Sequence, residues 1–390
     1  MQRRYAAELY AFVFFFLSQN VPAQQSTAVP TRGTAVSGNV LLPARNVDLT
    51  RVEPLVGLPA STVVGYPQRC SIDGSTFLEV YAQSNKPDVS FFPDLYRVSE
   101  LRDVKQIRRP LPLDYKQFTS RSFYPADHDL VTLIQASQPA NPELKQIPGQ
   151  KNFFLSITDR DGDHQKLVTL DLKFEPVKVA IFNSGEVLVL GIDTSNFLPV
   201  LALLHTDGSL DRVVDMDSRT YDFSQELNRI YPAKPGDSNT AERRRRVLGS
   251  LGSAQFVPWG SEILLVQPGS LLPIYRFLES GQQAAVTLKL PEGFLLESVL
   301  GSDEKDTWVI RTQSASSLQQ LANSRIEENP PQQLLEVDPY SGEVIRQLEV
   351  KGPQPGEVSC AAKGKLSAIY YGAPEQSGVP DQLTFASASR

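Results

Sequence analysis

The chain alternates short apolar runs with small polar turns, and the period is clearest in its middle. The apolar run 177–182 is followed by Asn183, Ser184, Gly185 and Glu186, then by a second apolar run at 187–190. Aliphatic and β-branched residues on both sides of an Asn/Ser/Gly turn predict a strand, a tight turn and a second strand. A longer hairpin follows, in which 200–204 and 210–214 flank Thr206, Asp207, Gly208 and Ser209. The whole stretch predicts one unit of four antiparallel strands.

The first turn of that unit recurs five times. Ile72, Asp73, Gly74 and Ser75 precede the run 77–81, and Ala126, Asp127, His128 and Asp129 precede 130–134. Pro258, Trp259, Gly260 and Ser261 precede 263–266, and Ser302, Asp303, Glu304 and Lys305 precede 308–310. Ala362, Lys363, Gly364 and Lys365 precede 366–371. Outer hairpins are visible at 154–170, 274–288 and 335–344. Six such units predict an all-β fold, a single β-propeller of six four-stranded blades. A pair of β-sandwiches explains the strands but not the repeated order of turns. Two insertions break the spacing. The stretch 217–250 reads as a loop holding Tyr221, Phe223 and Tyr231, and 314–331 is rich in Gln, Ser and Asn, with a short helix expected at 317–326.

The unit Val337, Asp338, Pro339, Tyr340, Ser341, Gly342, Glu343 and Val344 resembles the outer hairpin of bacterial secreted propellers with NHL-like or YVTN-like blades. The resemblance spans nearly all of the chain beyond its first residues and rests on blade pattern, not on a diagnostic motif. It implies a fold and no particular activity, because propellers carry many unrelated functions.

The N-terminus has a different pattern. Arg3 and Arg4 precede an apolar stretch at 9–17, then Ser18, Gln19 and Asn20, then Val21, Pro22 and Ala23. This order of basic, apolar and small residues predicts a signal peptide at 1–23, cleaved after Ala23. The apolar part is too short to cross a bilayer, which needs about 20 residues. A flexible segment at 24–38 and a propeller at 39–390 complete the expected organisation. The mature chain is expected without a transmembrane span, exported to the periplasm or beyond the cell.

Composition then narrows the chemistry. A net charge of -6 and a pI near 5.3 argue against nucleic-acid binding, which needs a basic face. His128, His164 and His205 are far apart and beside turns, a poor supply for a histidine metal site. Neither a Gly-rich phosphate loop nor a Gly-x-Ser-x-Gly turn occurs, so no catalytic, cofactor or metal residue is assigned. Asp159, Asp161 and Asp163 look like the start of a calcium loop, but Leu170 stands where the twelfth position needs Glu. A polar hairpin turn is the better reading.

Cys70 and Cys360 are the only cysteines. Each is followed at +4 by Gly (Gly74, Gly364) and at +11 by Tyr (Tyr81, Tyr371). They therefore occupy matched places on the innermost strands of the first and last blades, which a closed ring makes neighbours. In an oxidising compartment such a pair is expected to be joined; two buried free thiols are the alternative. The chain after Leu383 is too short to finish a blade, so a strand near 39–49 is expected to fill the gap and close the ring.

Arg243, Arg244, Arg245 and Arg246 lie in the longer insertion and are the candidate binding residues, as a loop that meets an anionic ligand or surface. A solvated loop balanced by acids such as Glu242 is the bland alternative. The expected function is a non-catalytic binding or scaffold module for a protein, peptide or glycan on one propeller face. The alternative is a hydrolase or lactonase with axial carboxylates around calcium, for which Asp73, Glu186, Glu262 and Asp303 at the blade turns are the available acids.

Overall fold

In the computed structural model the described residues are 41–58, 62–64, 68–82, 92–139, 152–215, 240–302, 307–316, 331–372 and 382–390. The expected signal peptide and the segment 24–38 lie outside them. Two short strands come first, β1 (Arg45–Asp48) and β2 (Val52–Pro54). The first sheet holds β3 (Thr62–Val64) and β4 (Arg69–Cys70), which both pair with β5 (Thr76–Ala82), followed by β6 (Asp94–Val98) and β7 (Val104–Ile107). The second is a meander of β8 (Tyr115–Pro125), β9 (Asp129–Pro139), β10 (Asn152–Asp159) and β11 (Gln165–Leu170). The third repeats it with β12 (Phe174–Ile181), β13 (Val187–Asp193), β14 (Pro199–Leu204) and β15 (Leu210–Val213).

A helix, α1 (Thr240–Ser253), leads into the fourth sheet, β16 (Gln255–Trp259), β17 (Glu262–Val266), β18 (Ile274–Leu278) and β19 (Gly281–Val286). Then come β20 (Phe294–Ser302), β21 (Trp308–Ser314), β22 (Gln332–Val337), β23 (Val344–Lys351), β24 (Val358–Ala362), β25 (Lys365–Gly372) and β26 (Gln382–Ser389). This is an all-β propeller. In the second, third and fourth sheets the first strand lies innermost and pairs on one side only, and the next three run outward.

Five of the six repeated turns lie among the described residues and are where the sequence places them, the turn at 302–305 falling largely outside, and their chemistry explains them. Gly74, Gly185, Gly260 and Gly364 all have positive φ, a conformation glycine adopts without a Cβ penalty. The strands between are apolar because sheet packs on sheet. All eight residues of β12 are buried, and a continuous core joins Leu133 and Leu155 to Val179, Leu188, Leu201 and Phe256 across three sheets.

The last two units do not form separate sheets. Strands β20 to β23 and β24 to β26 belong to one nine-stranded sheet, joined where Gly301 meets Ala361 in a single parallel pair. Gly301 permits this: it has φ +136°, and a Cβ there would collide with the carbonyl of Ala361. The N-terminal strand also differs from expectation. Within 39–49, β1 pairs in parallel with β23, and β2 is the strand that pairs antiparallel with β26. The division follows the apolar anchors. Val47 and Leu49 pack with Leu334 and Leu348, whereas Leu55 packs with Leu383 and Phe385.

The insertion read as a loop at 217–250 ends in α1, which buries Val247 and Leu251 against the core of the third and fourth sheets. A pattern of one apolar residue per turn is weak in sequence beside four arginines. The helix expected at 317–326 lies outside the described residues. The segment at Asp159 is a hairpin turn: its carboxylate accepts from the amides of Asp161 (3.1 Å) and Asp163 (2.8 Å). Among the described residues, no helix is long and apolar enough to cross a membrane.

Candidate functional site

Four innermost strands contain a β-bulge. The register slips between Ser120 and Ser122 in β8, Pro176 and Lys178 in β12, Leu296 and Ser298 in β20, and Val358 and Cys360 in β24. The residues left without a partner are Arg121, Val177, Glu297 and Ser359. A bulge bends its strand and redirects side chains, and it recurs beside functional sites. It lies near mid-strand in β8 and toward the start of β12 and β24, while β20 slips a second time between Val299 and Gly301, and polar residues gather around the slips.

The densest group spans the first three sheets. Glu79 on β5 accepts from Ser120 (2.5 Å) and from the guanidinium of Arg109 (3.0 Å). Arg109 also donates to the Pro93 carbonyl and stacks 4.4 Å over the Phe92 ring. Glu175 on β12 is almost wholly buried; Arg121 reaches it at 3.6 Å, and Arg244 from α1 forms a close ion pair with it. Ser122 accepts the amide of Val179 at 3.2 Å, which ties β8 to β12 beside the two bulges.

Two further cations sit in this group. Arg69 and Lys178 are buried to 9% and 8% residual exposure, and neither side chain makes a hydrogen bond or an ion pair with a described residue. Burial, then the charges of Arg69 and Arg121, push the Lys178 ammonium down to about 7, against the pull of Glu79. Burial lowers Arg69 to about 10, again opposed by Glu79. Tyr81 is pushed up to about 12 by burial and by Glu79. Burying a cation without a directly bonded counter-charge is costly, and Glu79 acts on both from a distance.

The sequence-derived candidates fare differently. Arg244 lies on a helix, not a loop, and is turned inward to Glu175. Arg245 is exposed on the same helix, and the side chains of Arg243 and Arg246 lie outside the described atoms. The turn acids do not converge. Asp73 pairs with Arg160 and accepts from Ser71 and Ser75. Glu262 forms a fork with Arg276 at 2.7 and 2.8 Å, and Glu186 stands 3.8 Å from His205. Asp303 is outside the described residues. A small pocket at their end is lined by Ile72, Tyr124, Ile181 and Ile263 together with Asp127, Asn183 and Glu262. Among the described residues no three His, Cys, Asp or Glu side chains are grouped to hold a metal ion.

Sequence reasoning missed Arg69, Lys178, Arg121, Glu175 and Glu79. The usable signal was Glu175 and Lys178 interrupting an otherwise apolar innermost strand, since charges in a strand buried on both faces require a reason.

No protein-family model matches this chain, and no curated protein matches it. Solved structures align with it at low similarity. The GH43 protein BlXynB of Bacillus licheniformis shares 9% identity at a TM-score of 0.35, over 83% of this chain and 69% of that one. The β-propeller domain of the Trilobed protease of Pyrococcus furiosus shares 10% at 0.34, over 80% of each chain. A subtype N11 neuraminidase-like protein of A/flat-faced bat/Peru shares 9% at 0.41, over 90% of this chain and 97% of that one.

Proposed function

We propose that this chain is an exported β-propeller that binds a protein, peptide or glycan partner, without catalysis, through the end of the ring at which its innermost strands begin. The reading rests on where the chain places its long connections. The segments joining β5 to β6, β9 to β10, β21 to β22 and β25 to β26, and the link from β15 through α1 to β16, all leave and return at that end. The opposite end has tight turns, such as those at 71–75, 182–186 and 205–209. Binding residues concentrate on loops held by a rigid scaffold, and this scaffold gives its loops to one end.

In this reading the nine-stranded sheet counts as the fifth and sixth blades, and β2 supplies the outermost strand of the sixth. The ring is closed by pairing its N-terminal segment with its last strand. The disulfide between Cys70 and Cys360 and the basic-apolar-small order at 1–23 support export with cleavage after Ala23. Intact mass of the protein recovered outside the cytoplasm checks this; recovery there with Met1 retained removes the cleavage, and recovery only from the cytoplasm removes the export step.

The binding reading is tested with the mature chain immobilised and challenged with envelope extract and with a glycan array. Replacing 373–381 or 140–151 with a short Gly-Ser link is expected to abolish capture of a specific partner. Equivalent replacement of the Thr206, Asp207, Gly208 and Ser209 turn is expected to leave it intact. Equal effects at both ends overturn the assignment of the face.

A further inference from the structure

We propose that Arg69, Lys178 and Arg121 form a binding site for a small oxyanion, the carboxylate or phosphate group of a soluble ligand, at the innermost strands of the first three blades. This site lies among the innermost strands beside α1, and its test does not depend on the partner-binding reading.

The argument begins with position. The three cations come from three different strands, β4, β12 and β8. The hydrogen bond from the Val179 amide to Ser122 holds β12 against β8 at the place where Lys178 and Arg121 leave their bulges. Arg69 and Arg121 both lie close enough to Lys178 to depress its protonation. Three like charges on three different strands therefore act on one another.

Charge balance comes next. Glu79 is the one acid that acts on both Arg69 and Lys178, and its carboxylate is already bonded to Arg109 and Ser120. Glu175 is shared by Arg121 and Arg244. The half-buried Glu79 thus pairs with Arg109, the buried Glu175 with Arg121 and Arg244, and no described side chain is bonded to the side chains of Arg69 or Lys178. An oxyanion supplies the missing charge, and its oxygens match guanidinium and ammonium donors. The Arg121 side chain keeps 31% exposure, so the cluster is not sealed from solvent. Buried unpaired cations lower stability, and a bound anion removes that penalty, so the ligand is expected to bind and to stabilise together.

The test is titration calorimetry of the full mature chain with inorganic phosphate and, separately, with acetate, at constant ionic strength in chloride. One-site saturable binding of either anion is expected, and the stronger of the two identifies the group preferred. Lys178→Met and Arg121→Gln are each expected to weaken it tenfold or more. Lys351→Gln, at a distant exposed position, leaves it unchanged. Affinity in the parent protein is expected to fall between pH 6 and pH 8 as Lys178 loses its proton, and Lys178→Met abolishes that trend. Should Arg121→Gln fail to fold, Arg121→Lys serves in its place. Absence of saturable binding of both anions up to ~10 mM, or binding that Lys178→Met does not change, overturns the proposal.

Discussion

Cys70 on β4 and Cys360 on β24 are joined by a disulfide across 290 residues of sequence, with their Cα atoms 4.9 Å apart. The bond links the first sheet to the nine-stranded sheet, beside the point where Gly301 meets Ala361. A position for a Cβ at Gly301 lies 3.5 Å from the Cys70 sulfur, so β4, β20 and β24 converge on one spot. Closing so long a loop removes much of the freedom of the unfolded chain, about 5 kcal/mol in chain-entropy models. Reduction, or the double change Cys70→Ala and Cys360→Ala, is expected to lower stability by about 2–5 kcal/mol. Urea unfolding with and without reductant measures it, and a mass increase of two hydrogens on reduction confirms the bond. Coincident unfolding curves would show that sheet packing alone holds these strands together.

Gly301 makes a sharper prediction. It shares positive φ with Gly281, at +136° and +124°, but their surroundings differ. A Cβ at Gly281 meets nothing within 4 Å, whereas at Gly301 it meets the Ala361 carbonyl. Gly281→Ala is expected to lower stability by about 1 kcal/mol through backbone strain alone. Gly301→Ala adds a clash with backbone and is expected to cost about 2 kcal/mol more. The difference between the two variants in thermal unfolding isolates the contact that merges the final sheets.

The fold was largely legible because a propeller repeats its turn chemistry. Six strand-turn-strand signals, four of them with glycine in a left-handed conformation, locate the innermost hairpins directly. The cysteine pairing was legible for the same reason: Gly74 and Gly364 fix the register that makes Cys70 and Cys360 equivalent. Strand β2 was not, since Val52, Glu53 and Pro54 have no alternation to read and gain their place from β26. The site was hidden by the bulges. A sequence shows Arg121 as one polar residue among several in 116–122, and only the slipped register directs it toward Glu175. Helix α1 was obscured by its arginines, which suggested a solvated loop although Arg244 turns inward.

Glu175 tests how far that ion network is structural. Its carboxylate lies between Arg121 and Arg244 with 4% of its surface exposed. Glu175→Gln keeps the shape and removes the charge, leaving two guanidinium groups facing an amide. Removal of one partner from a buried ion pair typically costs about 3–5 kcal/mol. The partial exposure of both arginines reduces that, so about 2–3 kcal/mol is expected in urea unfolding. The additional change Arg244→Gln is expected to recover part of the loss, because it removes an uncompensated charge. No recovery would mean that α1 is held by Val247 and Leu251 rather than by the ion pair.

Lys178 gives the fold a pH dependence of definite sign. Its ammonium is pushed down to about 7 in the folded chain, first by burial and then by Arg69 and Arg121, whereas the unfolded chain holds its proton to about 10.4. Between those values the unfolded state binds the extra proton, so stability rises with pH in that window. Below about 7 both states are protonated and the full cost of the buried charge is felt. Lys178→Met removes the charge and keeps the aliphatic stem, so it is expected to stabilise the protein most near pH 6. The advantage shrinks steadily toward pH 10, and its total change is on the order of 2–4 kcal/mol. Measuring both proteins in anion-poor buffer and subtracting their unfolding free energies at each pH cancels every other titrating group. A difference that does not vary between pH 6 and pH 10 would mean that Lys178 keeps a normal pKa, with water or an anion already compensating its charge.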